Sequence, residues 1–406
     1  MKIGIDQIGL FTPGQYVDLV EVAQARGVDP NKFTIGIGQD RQSVPGLTQD
    51  AVTMAANAAL DFLTAEERDQ VELIILGTES GVDNSKAGAL YVQHLLGLNQ
   101  WSRAFEIKEA CYGATAGLQM AADFVAAHPD KKALVFGSDI ARYGLATGGE
   151  VTQGAGAVAM LISANPRILA LNNDSVYRSQ SIQDFWRPVY SDIAFARGHY
   201  STNQYIDFFQ KVWAKYREET GHTLDDFKAL CFHLPYTKQG LKALRKILPE
   251  TNVDHQQSLL HYYDESIQYT RQIGNIYTGS LYLGLLSLLE TSTSLAAGDT
   301  IGLFSYGSGA EGEFYSAELQ PGFEEQLHGE THQQMLANRR QLSVPEYEKV
   351  FSEELPTDGS AYKADTSNEK ARFYLAGIKN HERQYRDHLR GNEDAGAESA
   401  PDEPIA

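Results

Sequence analysis

The run Glu106-Ile107-Lys108-Glu109-Ala110-Cys111-Tyr112-Gly113-Ala114-Thr115-Ala116-Gly117-Leu118-Gln119-Met120 sets the frame for the chain. A short, partly apolar approach from Trp101 runs into one cysteine. Small residues and good helix formers (Leu118, Met120, Ala121) then continue to Ala127 without proline. The pattern predicts a chain turning into the N-terminus of a buried helix, with Cys111 at the turn. There the helix dipole and unpaired backbone N–H groups favour a thiolate, and the glycines and alanines leave room for a substrate. A buried structural cysteine fits the same spacing, because free cysteine is among the most buried residue types. The stretch alone leaves both readings open.

Outward from it, residues 2–11 read as a strand and 16–27 as a helix. Thr48 is placed to cap a helix over 49–63. Thr64-Ala65-Glu66-Glu67 is a capping-box pattern, and the β-branched run 71–77 suits a buried central strand. Strands at 133–137 and 156–163 follow the Cys111 helix. The irregular polar stretch 164–198, with Tyr177, Phe185, Trp186 and Tyr190, reads as an insertion lining a ligand channel. Helices at 203–219 (capped by Thr202), 238–247, 266–271 and 277–289 alternate with strands at 229–232, 300–306 and 313–319. Such alternation implies a mostly parallel α/β sheet. Beyond Gln320 the chain reads as mostly helical, with one helix from Pro345 and another from Thr366 carrying Phe373, Leu375 and Ile378. Residues 391–406 are acidic with nothing to bury and read as a disordered tail.

The order of pieces repeats. The first half gives a strand to Glu79, a small-residue helix after Cys111, a strand to Ser138, and Gly-Ala-Gly into a further strand. The second half gives a strand to His233, a small-residue helix after Asn275, a strand to Tyr306, and Gly-Ser-Gly-Ala into a strand. A duplicated βαβ unit fits this order. It brings Glu79, Cys111, His233 and Asn275 toward one centre.

The 406 residues, 42% hydrophobic and 21% charged, describe an ordinary globular protein with an ample core. Two cysteines cannot build a disulfide framework, which points to a reducing cytoplasm. No apolar run is long enough to span a bilayer, the N-terminus has no signal-peptide pattern, and a net charge of −19 argues against nucleic acid as partner. No cysteine/histidine spacing suggests metal.

Glu79 follows a hydrophobic strand, where open α/β sheets place ligands, and burial there raises a carboxyl toward the range of a general base. A helix cap or solvated loop acid is the plainer alternative. His233 ends the matching strand of the second half and reads equally as a satisfied core histidine. Cys231 points to the opposite face from Phe232 and looks structural. Asn275 reads as a helix cap. Taken together, a thiol, a histidine, an amide and a carboxylate at four matching turns suit thiol acyl transfer followed by carbanion chemistry. Lys238 and Lys242, four residues apart on one helix face and followed by Arg245 and Lys246, form a phosphate-binding face or an ordinary solvated one. The amides of Gly307-Ser308-Gly309 suit part of an oxyanion hole.

Four motifs carry a resemblance: Gly77-Thr78-Glu79-Ser80; Glu109-Ala110-Cys111-Tyr112-Gly113; Phe232-His233-Leu234-Pro235-Tyr236 with Lys238; and Gly274-Asn275-Ile276-Tyr277-Thr278-Gly279-Ser280. With them the chain resembles the bacterial type of 3-hydroxy-3-methylglutaryl-CoA (HMG-CoA) synthases, within the thiolase-fold superfamily, from about Lys2 to near Arg390. The resemblance implies a duplicated α/β fold layered αβαβα, with two mixed sheets around buried helices. It implies an N-terminal half over 1–165, a C-terminal half with an insertion over 166–390, and the tail. It also implies a homodimer that joins acetyl-CoA to acetoacetyl-CoA, giving HMG-CoA for isoprenoid precursors, with no cofactor beyond the CoA thioesters. In the family pattern Cys111 matches the acylated nucleophile, Glu79 the base that deprotonates the acetyl methyl, and His233 the residue that polarises the ketone. Lys238 and Lys242 match CoA-facing lysines. Asn275 and Ser308 match substrate contacts, and Asp29, Thr152 and Ser201 fall where the family meets its ligand.

Rival readings use fewer of these residues. A decarboxylating β-ketoacyl-acyl carrier protein synthase needs no Glu79. A biosynthetic thiolase wants a second cysteine where Gly307-Ser308-Gly309 stands. A cysteine hydrolase leaves Glu79 and the lysines unused, and a non-catalytic scaffold would not need the polar set.

Overall fold

Apolar runs without polar alternation become strands covered on both faces. In the computed structural model, which describes residues 1–191 and 193–390, they form one ten-stranded mixed sheet. Its strands are β1 (Ile3–Phe11), β2 (Val71–Gly77), β3 (Arg103–Ile107), β4 (Lys132–Ala141), β5 (Gly154–Ala164), β6 (Leu169–Leu171), β7 (Val176–Ser179), β8 (Ala229–Phe232), β9 (Thr300–Gly307) and β10 (Glu311–Leu319). The order is β8-β9-β10-β6-β1-β5-β4-β2-β3, with β7 also pairing β10. The acidic stretch 391–406 lies outside the described residues.

The two mixed halves that the resemblance implies are both present, but the mostly parallel sheet expected from the alternation is not. Only the β2–β3, β2–β4 and β8–β9 ladders of this sheet are parallel, and its other ladders are antiparallel. β5 follows β4, and β10 follows β9, without a crossover helix, so each runs back along its neighbour. β2 is parallel to β3 and β4, while β5 is antiparallel to β4 and β1. In the second half β8 is parallel to β9, and β10 is antiparallel to β9 and β6. Short β6 hydrogen-bonds to β1 on one side and β10 on the other, joining the halves into a continuous sheet.

Alternate residues of each strand face different layers. Leu73, Ile75, Val135 and Met160 face inward with Cys231, Leu303 and Tyr315 from the other half. They enclose two central helices, α2 (Gly113–Ala127) and α5 (Ser280–Thr291), whose apolar residues complete this core. Ile74, Leu76, Leu134 and Phe136 face outward onto α1 (Ala51–Ala58). Leu230, Phe232, Phe304 and Phe314 face outward onto α3 (Gly198–Thr220) and α4 (Thr237–Ile247). The central helices touch through polar atoms: Thr115 Oγ1 lies 2.8 Å from Tyr282 Oη and donates to Ser305 Oγ at 2.8 Å.

Several local expectations are corrected. Gln15–Asp18 is a strand, and only Leu19–Ala25 is helical, with Asp18 as its N-cap. Asp50, not Thr48, caps α1. Its carboxylate takes the Val52 and Thr53 amides, whereas the Thr48 hydroxyl donates to Glu369. Thr202 lies inside α3 rather than capping it. The helix Val253–Ser266, capped by Asn252, was not foreseen. Residues 373–379 form a strand, not a helix. Phe373, Leu375 and Gly377 are buried at every second position, a strand's period, and the Phe373 backbone is bonded in both directions by the Asn57 side chain.

Candidate active site

The ends of β2, β4 and β9 and the starts of α2 and α5 bring together Glu79, Asp139, Cys111, Asn275 and the Gly307-Ser308-Gly309 loop. The chain leaves β3 and turns through Ala110, which holds φ of +41°, an uncommon left-handed value for a residue with a side chain. Cys111 follows, and α2 begins at Gly113. Gly307, at the end of β9, lies against this turn. A Cβ there would stand 2.6 Å from Glu109 O and 2.7 Å from Tyr112 Cβ, so only glycine allows the approach. The Gly307-Ser308-Gly309 loop thereby flanks the Cys111 turn.

Cys111 Sγ donates to Glu79 Oε1 at 3.3 Å. Burial first, then the nearby Asp139 charge, raises the Glu79 carboxyl to about 8, while the thiol hydrogen bond and Arg187 pull it down. The expectation of a thiolate is not met. Burial, the charge and hydrogen bond of Glu79, and the charges of Asp139 and Asp184 hold the thiol well above its usual value. These outweigh a helix end that starts two residues further on. Cys111 packs with Tyr143 against Phe185, Ala194 and Tyr277. The rings of Tyr143, Phe185 and Tyr277 meet edge to face, with centroids about 6 Å apart.

Asp139, fully buried at the end of β4, joins the two halves. Oδ1 accepts from Thr78 Oγ1 (3.0 Å), the Glu79 amide (2.7 Å) and Ser80 Oγ (2.9 Å). Oδ2 accepts from the amide (3.1 Å) and hydroxyl (2.6 Å) of Thr278. One carboxylate thus fixes the Glu79 turn to the loop entering α5. Asn275, also fully buried, accepts on Oδ1 from the Tyr277 amide and Ser280 Oγ, each at 2.9 Å, and donates from Nδ2 to Tyr143 Oη at 3.3 Å. The helix-cap role expected of it is not met: Ile276 and Gly279 hold the N-cap positions of the short 277–279 turn and of α5. Asn275 instead closes a local turn on the Tyr277 amide, while its own amide group reaches the aromatic wall around the thiol.

His233 ends β8. Its amide donates to Phe304 O at 2.8 Å, and its carbonyl accepts from Tyr205 Oη at 2.8 Å. Burial lowers its pKa to about 3, so the imidazole is neutral, and among the described residues Nδ1 has no partner.

The remaining candidates spread outward. Ser308 follows Gly307 on the loop beside Cys111. Ser201, in the first turn of α3, donates to Asp184 Oδ2 at 3.3 Å, an oxygen that also accepts from Tyr306 Oη at 2.8 Å. Lys238 is half-buried and Lys242 exposed on α4, and Lys242 Nζ donates to Tyr236 Oη at 2.8 Å. Asp29 is exposed and accepts the Asn31 amide, ahead of the segment Lys32–Ile37 whose end receives the Thr237 hydroxyl of α4. Thr152 bonds locally to Gly149 O, two residues before Gly154, which bridges to Gly274. Among the described residues no group of three or more histidines, cysteines or acids is placed to hold a metal.

Sequence reasoning missed Asp139, Asp184, Tyr143 and Arg187. An acid closing the apolar run Leu134-Val135-Phe136-Gly137-Ser138 is the same signal that marked Glu79, so Asp139 was findable. Asp184 and Arg187 lie in the irregular insertion and carry no local signal.

Residues 1–167 match the model of the hydroxymethylglutaryl-coenzyme A synthase N-terminal family, and 254–388 match that of its C-terminal family. A hydroxymethylglutaryl-CoA synthase of Enterococcus faecalis is 51% identical over 386 residues, covering 95% of this chain and 100% of the relative. The chain belongs to the hydroxymethylglutaryl-CoA synthase family. The reaction of this family joins acetyl-CoA to acetoacetyl-CoA to give HMG-CoA, and this chain is an acyltransferase of that kind. A crystal structure of an HMG-CoA synthase complexed with CoA superposes with a TM-score of 0.93 at 46% identity, covering 95% of this chain and 100% of that one, which establishes the thiolase-like fold. A polyketide biosynthesis 3-hydroxy-3-methylglutaryl-ACP synthase of Bacillus subtilis is 31% identical over 419 residues, covering 95% and 99%.

Proposed function

We propose that Cys111 carries the acetyl group, Glu79 makes the carbanion and His233 receives the ketone. The observation behind this reading is the thiol held 3.3 Å from a carboxyl whose pKa is raised to about 8. A base matched to working pH contributes roughly 10²–10⁴-fold, and here it sits beside the atom that would hold the acetyl group. The Cys111 sulfur attacks acetyl-CoA, and the thiol proton is balanced by release of CoA as its thiol. Glu79 then takes a proton from the acetyl methyl, which the thioester makes acidic. The carbanion adds to the ketone of acetoacetyl-CoA, and a neutral His233 donates to the oxygen as charge builds there. Water finally cleaves the Cys111 thioester. A decarboxylating carrier-protein synthase would have no use for this carboxyl.

The thioester supplies the acidity, so the chemistry asks for no further cofactor. Lys238 and Lys242 would meet the CoA phosphates as point charges, Asn275 and Ser308 would contact substrate, and Asp29, Thr152 and Ser201 would border the path to it. The halves 1–165 and 166–390 would act as one unit through Asp139. β3 ends the sheet with an unpaired edge among the described residues and runs straight into the Cys111 turn; a second copy pairing on that edge would make the homodimer and remove an aggregation hazard. No helix of the described residues is long and apolar enough to cross a membrane, and a cytoplasmic site would keep the thiol reduced. The test is incubation with acetyl-CoA alone, followed by mass spectrometry of the Cys111 peptide. One added acetyl group is expected, and its absence from folded protein would sink the reading.

A further inference from the structure

We infer that Arg187 is a positioning residue for condensation, holding the main chain of Glu79 and supplying the positive charge that keeps this carboxyl available as a base. The inference rests on Glu79 being the base proposed above. Four consecutive residues deliver the guanidinium. Asp184 is fixed by Tyr306 Oη (2.8 Å), the Gly309 amide (2.9 Å) and Ser201 Oγ (3.3 Å). Phe185 packs on Tyr143 and Tyr277 beside the thiol. Phe185–Trp186 pairs antiparallel with Phe195–Ala196, which fixes the backbone leading to Arg187. Arg187 Nη2 then donates to the Glu79 carbonyl. The Glu79 backbone is therefore held at both ends, its amide by Asp139 and its carbonyl by Arg187.

Charge gives this contact its consequence. Around the Glu79 carboxyl stand Asp139 at the end of β4, Cys111 and Glu109 from the turn before α2, Tyr143 beyond β4, and Tyr277 ahead of α5. Arg187 is the cation of that set, in a chain of net charge −19. Without it the carboxylates of Asp139 and Glu109 would crowd a buried carboxyl with no positive charge to favour ionisation. Arg187 reaches the base, not the acyl group, so its effect should fall on deprotonation of the acetyl methyl and leave acylation of Cys111 alone.

Arg187→Met and Arg187→Lys are compared with the wild type in two measurements. One is the extent of Cys111 acetylation by acetyl-CoA. The other is the pH dependence of single-turnover condensation of the acetyl-enzyme with acetoacetyl-CoA. Both variants are expected to acetylate as the wild type does. In Arg187→Met the acid limb should move up by about one pH unit, a loss of about tenfold below the limb, and Arg187→Lys should restore part of it. Should Arg187→Met not fold, Arg187→Gln removes the charge while keeping a donor and is read the same way. A limb that stays in place in a folded, charge-free variant overturns the inference alone. A wild type that is never acetylated overturns the functional reading, and this inference with it.

Discussion

At the residue scale the thiol and the base control each other. Burial, and after it the Glu79 charge, holds the Cys111 thiol protonated, and the thiol hydrogen bond holds the Glu79 pKa down. Glu79→Ala removes the charge and relieves the thiol, so acetylation of Cys111 should persist while condensation falls about 10²–10⁴-fold. A variant that condenses at near wild-type rate would show the base assignment to be wrong. The pH dependence follows with a definite sign. Glu79 acts as a base only when ionised, and acetylation removes the thiol hydrogen bond that lowers its pKa. Single-turnover condensation should therefore rise with pH through a limb at about 8 or above. His233, at about 3, stays neutral across the working range and adds no limb near neutrality. A limb in the ordinary carboxylate range would contradict this account. Glu79, Cys111, His233 and Asn275 were legible because each interrupts or closes an apolar or small-residue run. The electrostatic balance on the thiol was not, because it depends on Asp139 and Asp184, which come from elsewhere in the chain.

At the element scale, the helix α6 (Gly329–Ala337) is tied to α5 through one buried histidine. His332 Nδ1 lies 2.9 Å from both carboxylate oxygens of Glu290, and Nε2 lies 3.1 Å from Asp61 Oδ2. Burial lowers its pKa, but hydrogen bonds to Asp61 and Glu290 and their charges prevail and raise it from 6.5 to about 9. A folded-state pKa above the unfolded one stabilises the fold fully below 6.5, and that contribution is lost as pH rises through about 9. Its size is on the order of 3 kcal/mol. The melting temperature of His332→Gln should lie several degrees below the wild type at about pH 6, and the gap should close as pH rises through about 9. A gap independent of pH would mean that shape, not charge, joins the helices. Elements were read well where period and cap agreed, as at Thr64–Glu67 and β2. The expectation of a helix fails at 373–379, where apolar residues at every second position inside a polar segment form a strand. The strand owes its existence to Asn57 and α1, more than 300 residues away.

At the scale of the molecule, the duplication was visible in the order of motifs, and the turns carrying Glu79, Cys111 and Asn275 do converge. What the order could not show is how tightly the halves close. The joint lies where β4 meets the loop entering α5, and it is backbone against backbone. A Cβ on Gly137 would stand 2.7 Å from Gly279 Cα and 2.8 Å from its amide nitrogen. No side chain there can swing away, so an added methyl must part the main chains. Gly137 is two residues from Asp139, whose Oδ2 holds Thr278, and parting the chains at that point would pull Asp139 from Thr278 and tilt the Glu79 turn. Gly137→Ala should cost about 1–3 kcal/mol of stability and lower condensation by more than it lowers acetylation, since the thiol turn is fixed separately at Gly307. Gly148→Ala is the control, because nothing lies within 4 Å of its Cβ position; it should match the wild type in melting temperature and turnover. Equal behaviour of the two variants would mean that the joint is looser than this, and that the base and the second half are not held together by Asp139.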